Sequence, residues 1–494
     1  MAARVETDVL IAGLGPVGAM LALLLARSGL TVTVVERDSE VYPLPRAAHI
    51  DHEVMRLLHL VGAADPVLKA SSPLPAYEFR NGAGALLMGF SPGVEDAPTG
   101  FPPSSMFHQP TLEHGLRAAI ANDPRIDAHI NTALTTFTAT DDGVIATITD
   151  AQGPREVRAK FLVGCDGGAS VVRKLSQIAL DDLGFDEPWL VIDTVLKNNV
   201  QALSAIGLQH CDPRRPVTSM PMGPGRHRWE FMMLPGETAD DVMSDEALNR
   251  LVAPYADPAS LTIERRAVYR FHAVSAQSWR KSRVLLCGDA AHQMPPFMGQ
   301  GLCSGIRDAA NLAWKIAAVH KGEAAPSLLD TYQSEREPHV RAITDIAVFL
   351  GRIVCVQNVD EAAARDAQMT TPCEADRVSM LPPLPGLGTG IMAGHASAGQ
   401  VAPAPRLCDG RRLDDVIGYV PFLITREKGL LSGFAAQGRI IALSEIDDAA
   451  QHWSKLLGDN EAILVRPDRF IFGLGATRDL LSHWDDYLQS RRAA

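Results

Sequence analysis

Three short turns in this sequence have residue types suited to binding a phosphate-containing ligand. The first turn, residues 13–18, reads G-L-G-P-V-G, the second turn, residues 165–168, reads C-D-G-G, and the third turn, residues 288–301, places Asp289 among two prolines and three glycines. Glycines let a ligand approach the backbone closely, and prolines fix the dihedral angle φ. Because about 270 residues separate the first turn from the third, the fold must bring them together if they serve one ligand.

The segments around the first turn predict a βαβ unit. A β-prone run, Asp8 to Ala12, precedes the turn, a helical pattern from Ala19 to Ser28 follows it, and a second strand, Thr31 to Val35, ends at Glu36. In this context the spacing G-x-G-x-x-G is typical of dinucleotide binding, with the pyrophosphate at the helix N-terminus.

Each polar or glycine position of this unit has a predicted role. Gly13 permits the tight turn, Gly15 lets the backbone approach a pyrophosphate, and Gly18 lets the helix pack on the strand. The Glu36 carboxylate is placed to hold a ribose 2′-hydroxyl and would repel a 2′-phosphate, so NADP is disfavoured here. Arg37 is a further candidate for cofactor binding. The fingerprint alone does not distinguish FAD from NAD.

The second and third turns follow apolar runs that read as strands. FLVG (161–164) precedes Asp166, and VLLC (284–287) precedes Asp289. Ligands of α/β sheets gather at the carboxyl ends of strands, so both aspartates are expected beside the ligand of the first turn.

The motifs GLGPVG, CDGGASVVRK and LLCGDAAHQMPPFMGQG occur in this order between residues 13 and 301. In these motifs the chain resembles the flavoprotein monooxygenases of the p-hydroxybenzoate hydroxylase type. The segments EPWLVIDT (187–194) and GIRDAANLAWK (305–315), among others, are similar to those of the phenolic-acid hydroxylase branch that includes 3-(3-hydroxyphenyl)propionate hydroxylase. The resemblance implies that NADH or NADPH reduces FAD, that O2 adds at C4a, and that the flavin hydroperoxide passes OH to an aromatic ring. Because a phenol reacts better as a phenolate, the protein should supply a base near the substrate hydroxyl.

The resemblance also implies roles for residues of the third turn. Gly288 and Asp289 would contact the ribityl or pyrophosphate part of FAD, and Pro296 would run past the edge of the flavin ring. Gly299 and Gly301 would begin a helix whose N-terminus faces the pyrimidine half of the flavin, where it favours negative charge.

Three more positions match family residues near FAD. Arg46 matches the arginine that contacts the phosphates, Gln109 the glutamine near the flavin, and Asp166 the aspartate that serves FAD and the transient nicotinamide nucleotide. Each could instead be a polar surface residue.

Residues 181–275 are predicted to form a mixed sheet over the flavin and one wall of the substrate pocket. The candidate catalytic residues are His49, Tyr269 and His272. The candidate substrate contacts are Arg228, which could bind a carboxylate, Phe231 and Pro295. The alternatives are a neutral loop histidine for His49, strand packing for Tyr269 and His272, and a solvated arginine at position 228.

The chain has 494 residues, 46% of them hydrophobic, which is enough for two or three α/β domains. The expected division is a Rossmann-like FAD-binding domain (1–180 and 276–356, with 76–105 contributing to the substrate side), a substrate domain (181–275), a linker (357–384) and a C-terminal region (385–494). The order of elements in this last region resembles the thioredoxin-like domain of phenol hydroxylase relatives. It carries no C-x-x-C, so a packing or homodimer role is expected rather than thiol exchange.

Composition excludes several other classes. The net charge of −12 argues against nucleic-acid binding. Seven cysteines without C-x-x-C spacing fit reduced thiols in a cytoplasm, and no metal site is expected. The apolar run Val9 to Ala26 is long enough for a membrane span, but its three glycines and one proline favour strand, turn and buried helix instead.

Two alternative functions stay open beside aromatic hydroxylation, and two others are disfavoured. The oxygen could go to a polyketide or antibiotic-like substrate, or the chain could bind FAD without turnover. A simple NAD dehydrogenase would not need the turns at Asp166 and Asp289. The six tryptophans are too far apart for the W-x-W-x-I-P motif of a tryptophan halogenase.

Overall fold

A computed structural model describes residues 5–42, 46–93, 95–197, 203–370, 378–380, 383–404, 406–426 and 438–489. The strands are β1 (Val5–Ala12), β2 (Val32–Glu36), β3 (His49–Asp51), β4 (Ser72–Pro73), β5 (Tyr77–Asn81), β6 (Leu86–Ser91), β7 (Ser104–Met106), β8 (Ile126–Ile130), β9 (Ala133–Ala139), β10 (Val144–Asp150), β11 (Gly153–Gly164), β12 (Leu180–Leu196), β13 (Gly207–Cys211), β14 (Val217–Pro221), β15 (Arg226–Met232), β16 (Leu261–Ala276), β17 (Arg280–Lys281), β18 (Val284–Leu286), β19 (His292–Gln293), β20 (Val378–Met380), β21 (Phe422–Thr425), β22 (Arg439–Ala442), β23 (Ala462–Val465) and β24 (Ile471–Gly475). The helices are α1 (Pro16–Arg27), α2 (His52–Leu60), α3 (Ala64–Lys69), α4 (Gln109–Ala121), α5 (Val171–Leu175), α6 (Ala239–Met243), α7 (Asp245–Val252), α8 (Gly301–His320), α9 (Asp330–Val354), α10 (Val359–Thr370), α11 (Leu413–Ile417), α12 (His452–Leu457) and α13 (Thr477–Gln489).

An eight-stranded sheet forms the centre of the α/β part. Its main order is β17-β18-β11-β1-β2-β8, and the five strands from β18 to β8 are parallel, while β10 and β9 continue from β11 as antiparallel strands. The predicted βαβ unit is therefore confirmed as β1, α1 and β2. Since α1 packs between this sheet and its neighbouring helices, ten of its twelve residues are buried, which explains its apolar sequence.

A nine-stranded sheet forms the wall of the predicted substrate side. Its order is β19-β16-β12-β15-β14-β13-β5-β6-β20, and it includes the two strands formed by residues 77–91. Along β15, Trp229 and Phe231 enter an apolar core with Leu190, whereas Arg228 and Glu230 face the opposite side. This alternation follows from the two-residue period of a strand.

Regular structure continues into the predicted linker, whose role stays a prediction. Asn358 caps α10 through the backbone N–H groups of Asp360 and Glu361, and β20 pairs with β6. Residues 371–377 and 381–382 of that segment lie outside the described residues. The helix α9 runs through Pro338 without a break.

The C-terminal region has a small sheet of its own, in the order β22-β21-β23-β24. β21 and β22 are parallel and the other pairs antiparallel, and α13 follows the last strand. This order is compatible with a thioredoxin-like domain, and that assignment stays a prediction. Among the described residues no single helix is long and apolar enough to cross a membrane. The segments Pro326–Val354 and Val359–Thr370, which are bent by 115° at their junction, have the length and composition of a membrane span only when they are taken together.

Candidate active site

The carboxyl ends of four neighbouring parallel strands bring the three turns together. β18, β11, β1 and β2 lie side by side and lead into the third turn, the second turn, the first turn and Glu36, respectively. Beyond the strands, the backbone N of Cys165 donates to Ala12 O at 2.8 Å and that of Cys287 donates to Gly164 O at 3.0 Å. The turns thus form one continuous edge, at the position where such sheets bind ligands.

The glycines of the first turn separate into two kinds. Gly13 has a φ of +102°, and a Cβ there would lie 2.4 Å from Cys165 O, while a Cβ on Gly18 would lie 2.0 Å from Gly13 O. Both therefore allow close backbone packing. At Gly15 no described atom lies within 4 Å of the Cβ position. This open face of the turn fits the predicted approach of a pyrophosphate.

The third turn packs directly on the start of α1. A Cβ added to Gly288 would lie 3.1 Å from Cγ2 of Val17, and one added to Gly305 would lie 2.7 Å from the same atom. Val17 at the start of α1 therefore leaves no room for a side chain at positions 288 and 305, which explains the glycines there.

Glu36 lies beside the first turn, whereas Arg37 does not contribute a clear contact. The Glu36 carboxylate accepts a hydrogen bond from Leu14 N at 2.7 Å and from Asp38 N at 3.0 Å. The Arg37 side chain is 70% exposed and reaches Asp38 only at 3.9 Å. Ribose binding by Glu36 and any cofactor contact by Arg37 remain predictions.

Asp289 stands out because its carboxylate makes no hydrogen bond or ion pair within the described part of the chain. Its side chain is accessible at the edge formed by the turns. The surrounding protein raises the pKa of Asp289 above its ordinary value, although the charges of His292 and Arg46 oppose the rise. An accessible carboxylate without an internal partner is suited to binding a ligand hydroxyl. Arg46 is itself exposed, with its guanidinium 4.6 Å from the centre of the Tyr42 ring.

Asp166 and Gln109 hold backbone segments in place. The Asp166 carboxylate accepts from the Ser170 hydroxyl at 2.5 Å and from Val171 N at 2.6 Å, and so caps the start of α5. The side-chain oxygen of Gln109 accepts from Ala47 N at 2.6 Å. Both side chains therefore orient loops at the site, and their direct contact with FAD stays a prediction.

A cavity lies between the third turn, the segment 46–49 and the nine-stranded sheet. It encloses about 1170 Å³ of empty space, part of which is open to solvent. Most of its wall is apolar, contributed by Leu74, Phe90, Met106, Met220, Met294, Phe297, Met298, Leu302, Ile346 and Leu350. Its polar side chains are those of Arg46, His49, Tyr77, Ser104, Arg228, Glu230 and Gln300. Predominantly apolar walls with a few polar groups are typical of small-molecule sites.

The start of α8 forms one end of this cavity. Gly299 has a φ of +62°, and a Cβ there would lie 2.7 Å from Cβ of His49. Pro296, Gly299 and Gly301 all line the cavity, as the third turn predicts. The partial positive charge of the helix N-terminus consequently faces the space where negative charge on a ring would be stabilised.

His49 is held as a neutral imidazole. Its Nδ1 lies 3.2 Å from Gly299 O, which can only accept, so Nδ1 carries the proton. Nε2 then accepts from the Ser104 hydroxyl at 2.8 Å. Burial lowers the pKa of His49, and the charge of Asp51 opposes this effect only partly. The histidine is hydrogen-bonded as in the alternative reading but begins β3 instead of lying in a loop, and both His49 and Ser104 line the cavity, so a catalytic role stays a prediction.

The structure does not bring Tyr269 or His272 to the described lining of the cavity. The Tyr269 hydroxyl accepts a hydrogen bond from Arg265. The His272 side chain is 41% exposed, with Nδ1 3.2 Å from Asp186 Oδ1. Both residues are thus engaged in strand-surface contacts.

The two apolar substrate candidates are also displaced from the cavity. Phe231 is 1% exposed, and its side chain lies in the core behind the sheet. The expectation that it lines the pocket together with Arg228 is wrong, because residues three apart on a strand face opposite sides. Pro295 is buried and absent from the described lining, while the next residue, Pro296, lines the cavity.

Four polar residues of the lining, Gln300 among them, were not candidates from the sequence. Glu230 could have been found, because it lies two positions after Arg228 and must share its face. Tyr77 and Ser104 come from distant short strands, β5 and β7. Burial raises the pKa of Glu230, an effect that the charge of Arg228 opposes. Burial likewise raises the pKa of the Tyr77 hydroxyl.

Comparisons with known proteins agree on one family. Residues 6–347 match the family model described as FAD binding domain. A probable NADH-specific resorcinol 4-hydroxylase of Rhodococcus jostii (strain RHA1) is 36% identical over 96% of this chain and 93% of its own length. A 3-(3-hydroxy-phenyl)propionate/3-hydroxycinnamic acid hydroxylase of Mycolicibacterium smegmatis is 33% identical over 94% and 90%. Among solved structures, the anhydrotetracycline hydroxylase OxyS of Streptomyces rimosus superposes with a TM-score of 0.79 at 25% identity, covering 98% of this chain and 99% of the other.

Proposed function

Because this chain belongs to the FAD binding domain family and, within it, to the FAD-dependent aromatic hydroxylases, we propose that its cavity holds a phenol beside the flavin for hydroxylation with NADH and O2. The observation that carries the proposal is the convergence of the three turns on one sheet edge, next to an apolar cavity with few polar groups. NADH is proposed as the reductant because the Rhodococcus relative is described as NADH-specific.

The residues at the sheet edge fit FAD. The open face of Gly15 and the N-terminus of α1 suit a pyrophosphate, and the carboxylates of Glu36 and Asp289 suit the hydroxyls of the ribose and the ribityl chain. The N-terminus of α8 would face the pyrimidine half of the ring. When bound, FAD supplies the activation of O2 and the transfer of an oxygen atom, chemistry that amino-acid side chains cannot perform.

The protein contributes positioning, exclusion of water and a route for the phenol proton. The apolar wall keeps water from the reacting ring. Ser104 lines the cavity and contacts His49 Nε2, so its hydroxyl can accept the phenol proton while it donates its own to Nε2. His49 is neutral and can accept this proton, which is the condition for a base at neutral pH. Gly299 O and the Nδ1 proton keep the ring oriented for this transfer.

A polyketide or antibiotic-like substrate is the less favoured alternative. The relatives that match by sequence over nearly the whole chain are described as acting on small phenols, at 33% to 36% identity, whereas the tetracycline hydroxylase matches at 25%. A homodimer and a cytoplasmic location stay predictions.

The test is a coupled assay on purified protein reconstituted with FAD. NADH oxidation and O2 uptake are measured with a panel of phenols, and the products are analysed for a new ring hydroxyl. We expect at least one phenol to accelerate NADH oxidation and to yield an equivalent of hydroxylated product. Retention of FAD without acceleration by any aromatic compound would instead support a binding protein without turnover.

A further inference from the structure

The cation that could attract a substrate carboxylate is already neutralised. Arg228 Nε lies 2.6 Å from Asp193 Oδ1 and Nη2 lies 3.0 Å from Oδ2, which is a bidentate ion pair. Nη1 donates to Arg46 O at 2.6 Å. Arg265 reaches the same aspartate at 3.3 Å. With both groups of the bidentate pair buried, exchanging Asp193 for a ligand carboxylate would leave the buried Asp193 with only its longer contact to Arg265.

The other cation of the lining, Arg46, lies at the cofactor side. Its guanidinium stacks over Tyr42, and its charge acts on Asp289 and Glu113. This places Arg46 toward the edge formed by the three turns. The sheet wall of the cavity therefore presents no uncompensated positive charge among the described residues.

Glu230 supplies an acceptor on that wall. Its carboxylate is buried, with 5% of the side chain exposed, and its contact with Arg228 Nη1 is long, at 3.6 Å. Within the described residues no hydrogen bond reaches this carboxylate. A buried carboxyl group without a hydrogen-bonding partner carries a desolvation cost that a ligand hydroxyl can relieve.

Tyr77 supplies a donor close to this acceptor. Gln209 donates its side-chain N–H to the Tyr77 oxygen, and Thr218 donates to the Gln209 oxygen at 2.8 Å, which fixes the orientation of the amide. The Tyr77 hydroxyl thus acts as acceptor toward Gln209, and its own proton has no acceptor among the described residues. Both residues line the cavity, and the charge of Glu230 acts on Tyr77.

One acceptor and one donor on an otherwise apolar wall match a hydroxyl group and not a carboxylate. We propose that this cavity selects an uncharged dihydric phenol, whose second hydroxyl donates to the Glu230 carboxylate and accepts from the Tyr77 hydroxyl, and that it disfavours phenols that carry a carboxylate. This specificity rests on the proposed function, because it concerns the substrate of the same hydroxylation. The proposed specificity distinguishes between the two kinds of substrate in the relatives' names, a dihydric phenol and phenols that carry a carboxylate.

The experiment measures binding separately from turnover. FAD-loaded protein without NADH is titrated by calorimetry with 1,3-dihydroxybenzene, with 3-methoxyphenol, which lacks the second hydroxyl proton, and with 3-(3-hydroxyphenyl)propionate. Because a hydrogen bond to a charged group contributes roughly 1.5–3 kcal/mol, we expect 1,3-dihydroxybenzene to bind about tenfold more tightly than either comparison compound. NADH oxidation is recorded for the same three compounds.

Two variants test whether Glu230 and Tyr77 recognise the second hydroxyl group. In Glu230→Gln the preference for 1,3-dihydroxybenzene over 3-methoxyphenol should fall to about threefold or less, since the hydrogen bond that needs the second hydroxyl proton is weakened. In Tyr77→Phe, which removes a donor that both ligands can use, both should bind about threefold to tenfold more weakly. The exposed Glu156 on β11 provides the control, Glu156→Gln, in which the preference should be unchanged. If Glu230→Gln fails to retain FAD, Tyr77→Phe keeps the test open, because it removes one oxygen atom and no charge.

The outcomes separate the two proposals. Tighter binding of 3-(3-hydroxyphenyl)propionate, an unchanged preference in Glu230→Gln that retains FAD, or an unchanged affinity for 1,3-dihydroxybenzene in Tyr77→Phe overturns the specificity while leaving hydroxylation intact. If the dihydric phenol binds selectively but no phenol accelerates NADH oxidation, the proposed function fails and the assignment of Glu230 and Tyr77 as its recognition groups stands.

Discussion

Replacing Asp289 by alanine should weaken FAD binding without weakening the fold. The wild-type carboxylate makes no hydrogen bond within the described residues, so its removal breaks no internal contact. A hydrogen bond from a ligand hydroxyl to a carboxylate contributes roughly 1.5–3 kcal/mol, which corresponds to an increase of about tenfold to 150-fold in the Kd for FAD. In Asp289→Asn, which keeps one acceptor, the increase should be smaller.

The stability of the apoprotein should change in the opposite sense. The folded-state pKa of Asp289 is raised, so the stability that this group contributes is present below its unfolded pKa and is lost as the pH rises through the folded pKa. At pH 7 its ionisation therefore disfavours the fold, and Asp289→Ala apoprotein should melt at an equal or higher temperature. At a pH below the unfolded pKa, this gain should vanish.

The assay combines FAD fluorescence quenching on titration of apoprotein with thermal unfolding at neutral and acidic pH. The exposed Asp459 offers a control, because Asp459→Ala removes a carboxylate far along the chain from the three turns. An unchanged Kd for FAD in Asp289→Ala would refute the reading of the third turn. A lower melting temperature of the apoprotein would show that the carboxylate has a structural role instead.

Three further predictions follow from the same contacts. Gly18→Ala places a methyl group where only 2.0 Å separates it from a backbone oxygen, so apoprotein should lose about 1–3 kcal/mol of unfolding free energy and bind FAD poorly, as chemical denaturation and FAD titration would measure. His49→Ala and Ser104→Ala should slow hydroxylation by about 100-fold and leave the reduction of FAD by NADH unaffected in stopped-flow experiments; equal slowing of both steps would exclude a role in proton transfer. Although burial opposes the effect, the charge of Arg466 lowers the pKa of Glu335 to about 2, so stability should fall as the pH drops from about 4.5 toward 2, and Glu335→Gln should be less stable at pH 7 by about 3–5 kcal/mol and lose this acid dependence.

The cofactor edge could be predicted from sequence because its determinants are local. Strand, glycine turn and helix follow one another within thirty residues around Gly13, and parallel strands place their carboxyl ends at one edge whatever their separation along the chain. The contacts of Asp166 could not be predicted from the sequence in the same way. Its carboxylate is adjacent to the expected ligand but caps α5, and the choice between cap and ligand depends on atomic positions that spacing does not determine.

The substrate wall was only partly predictable because its residues come from strands far apart in sequence. Arg228 was identified, but its pairing with Asp193 depends on the register between β12 and β15. Tyr77 lies in the same sheet only because β5 pairs with β13, more than a hundred residues later. A strict use of the two-residue period would have replaced Phe231 by Glu230. Register between distant strands was the missing information.

Buried ion pairs join the C-terminal region to α8 and α9, two helices that contribute residues to the cavity. The Arg466 guanidinium lies 2.7 Å from the Glu335 carboxylate, which also accepts from Lys315 at 2.7 Å, and all three side chains are fully buried. Lys315 lies on α8, the helix whose first residue, Gly301, lines the cavity.

This network gives the C-terminal region a structural role at the active site. Without Arg466, the carboxylate of Glu335 would keep Lys315 as its one buried cationic partner in the described structure, and Asp468 would lose its own contact with Arg466 at 2.6 Å. Breaking a buried pair costs far more than an exposed one, so the position of α8 depends on residues about 165 positions beyond its start. The helix α8, whose first residue lines the cavity, is thus held in place by buried ion pairs that involve the C-terminal region.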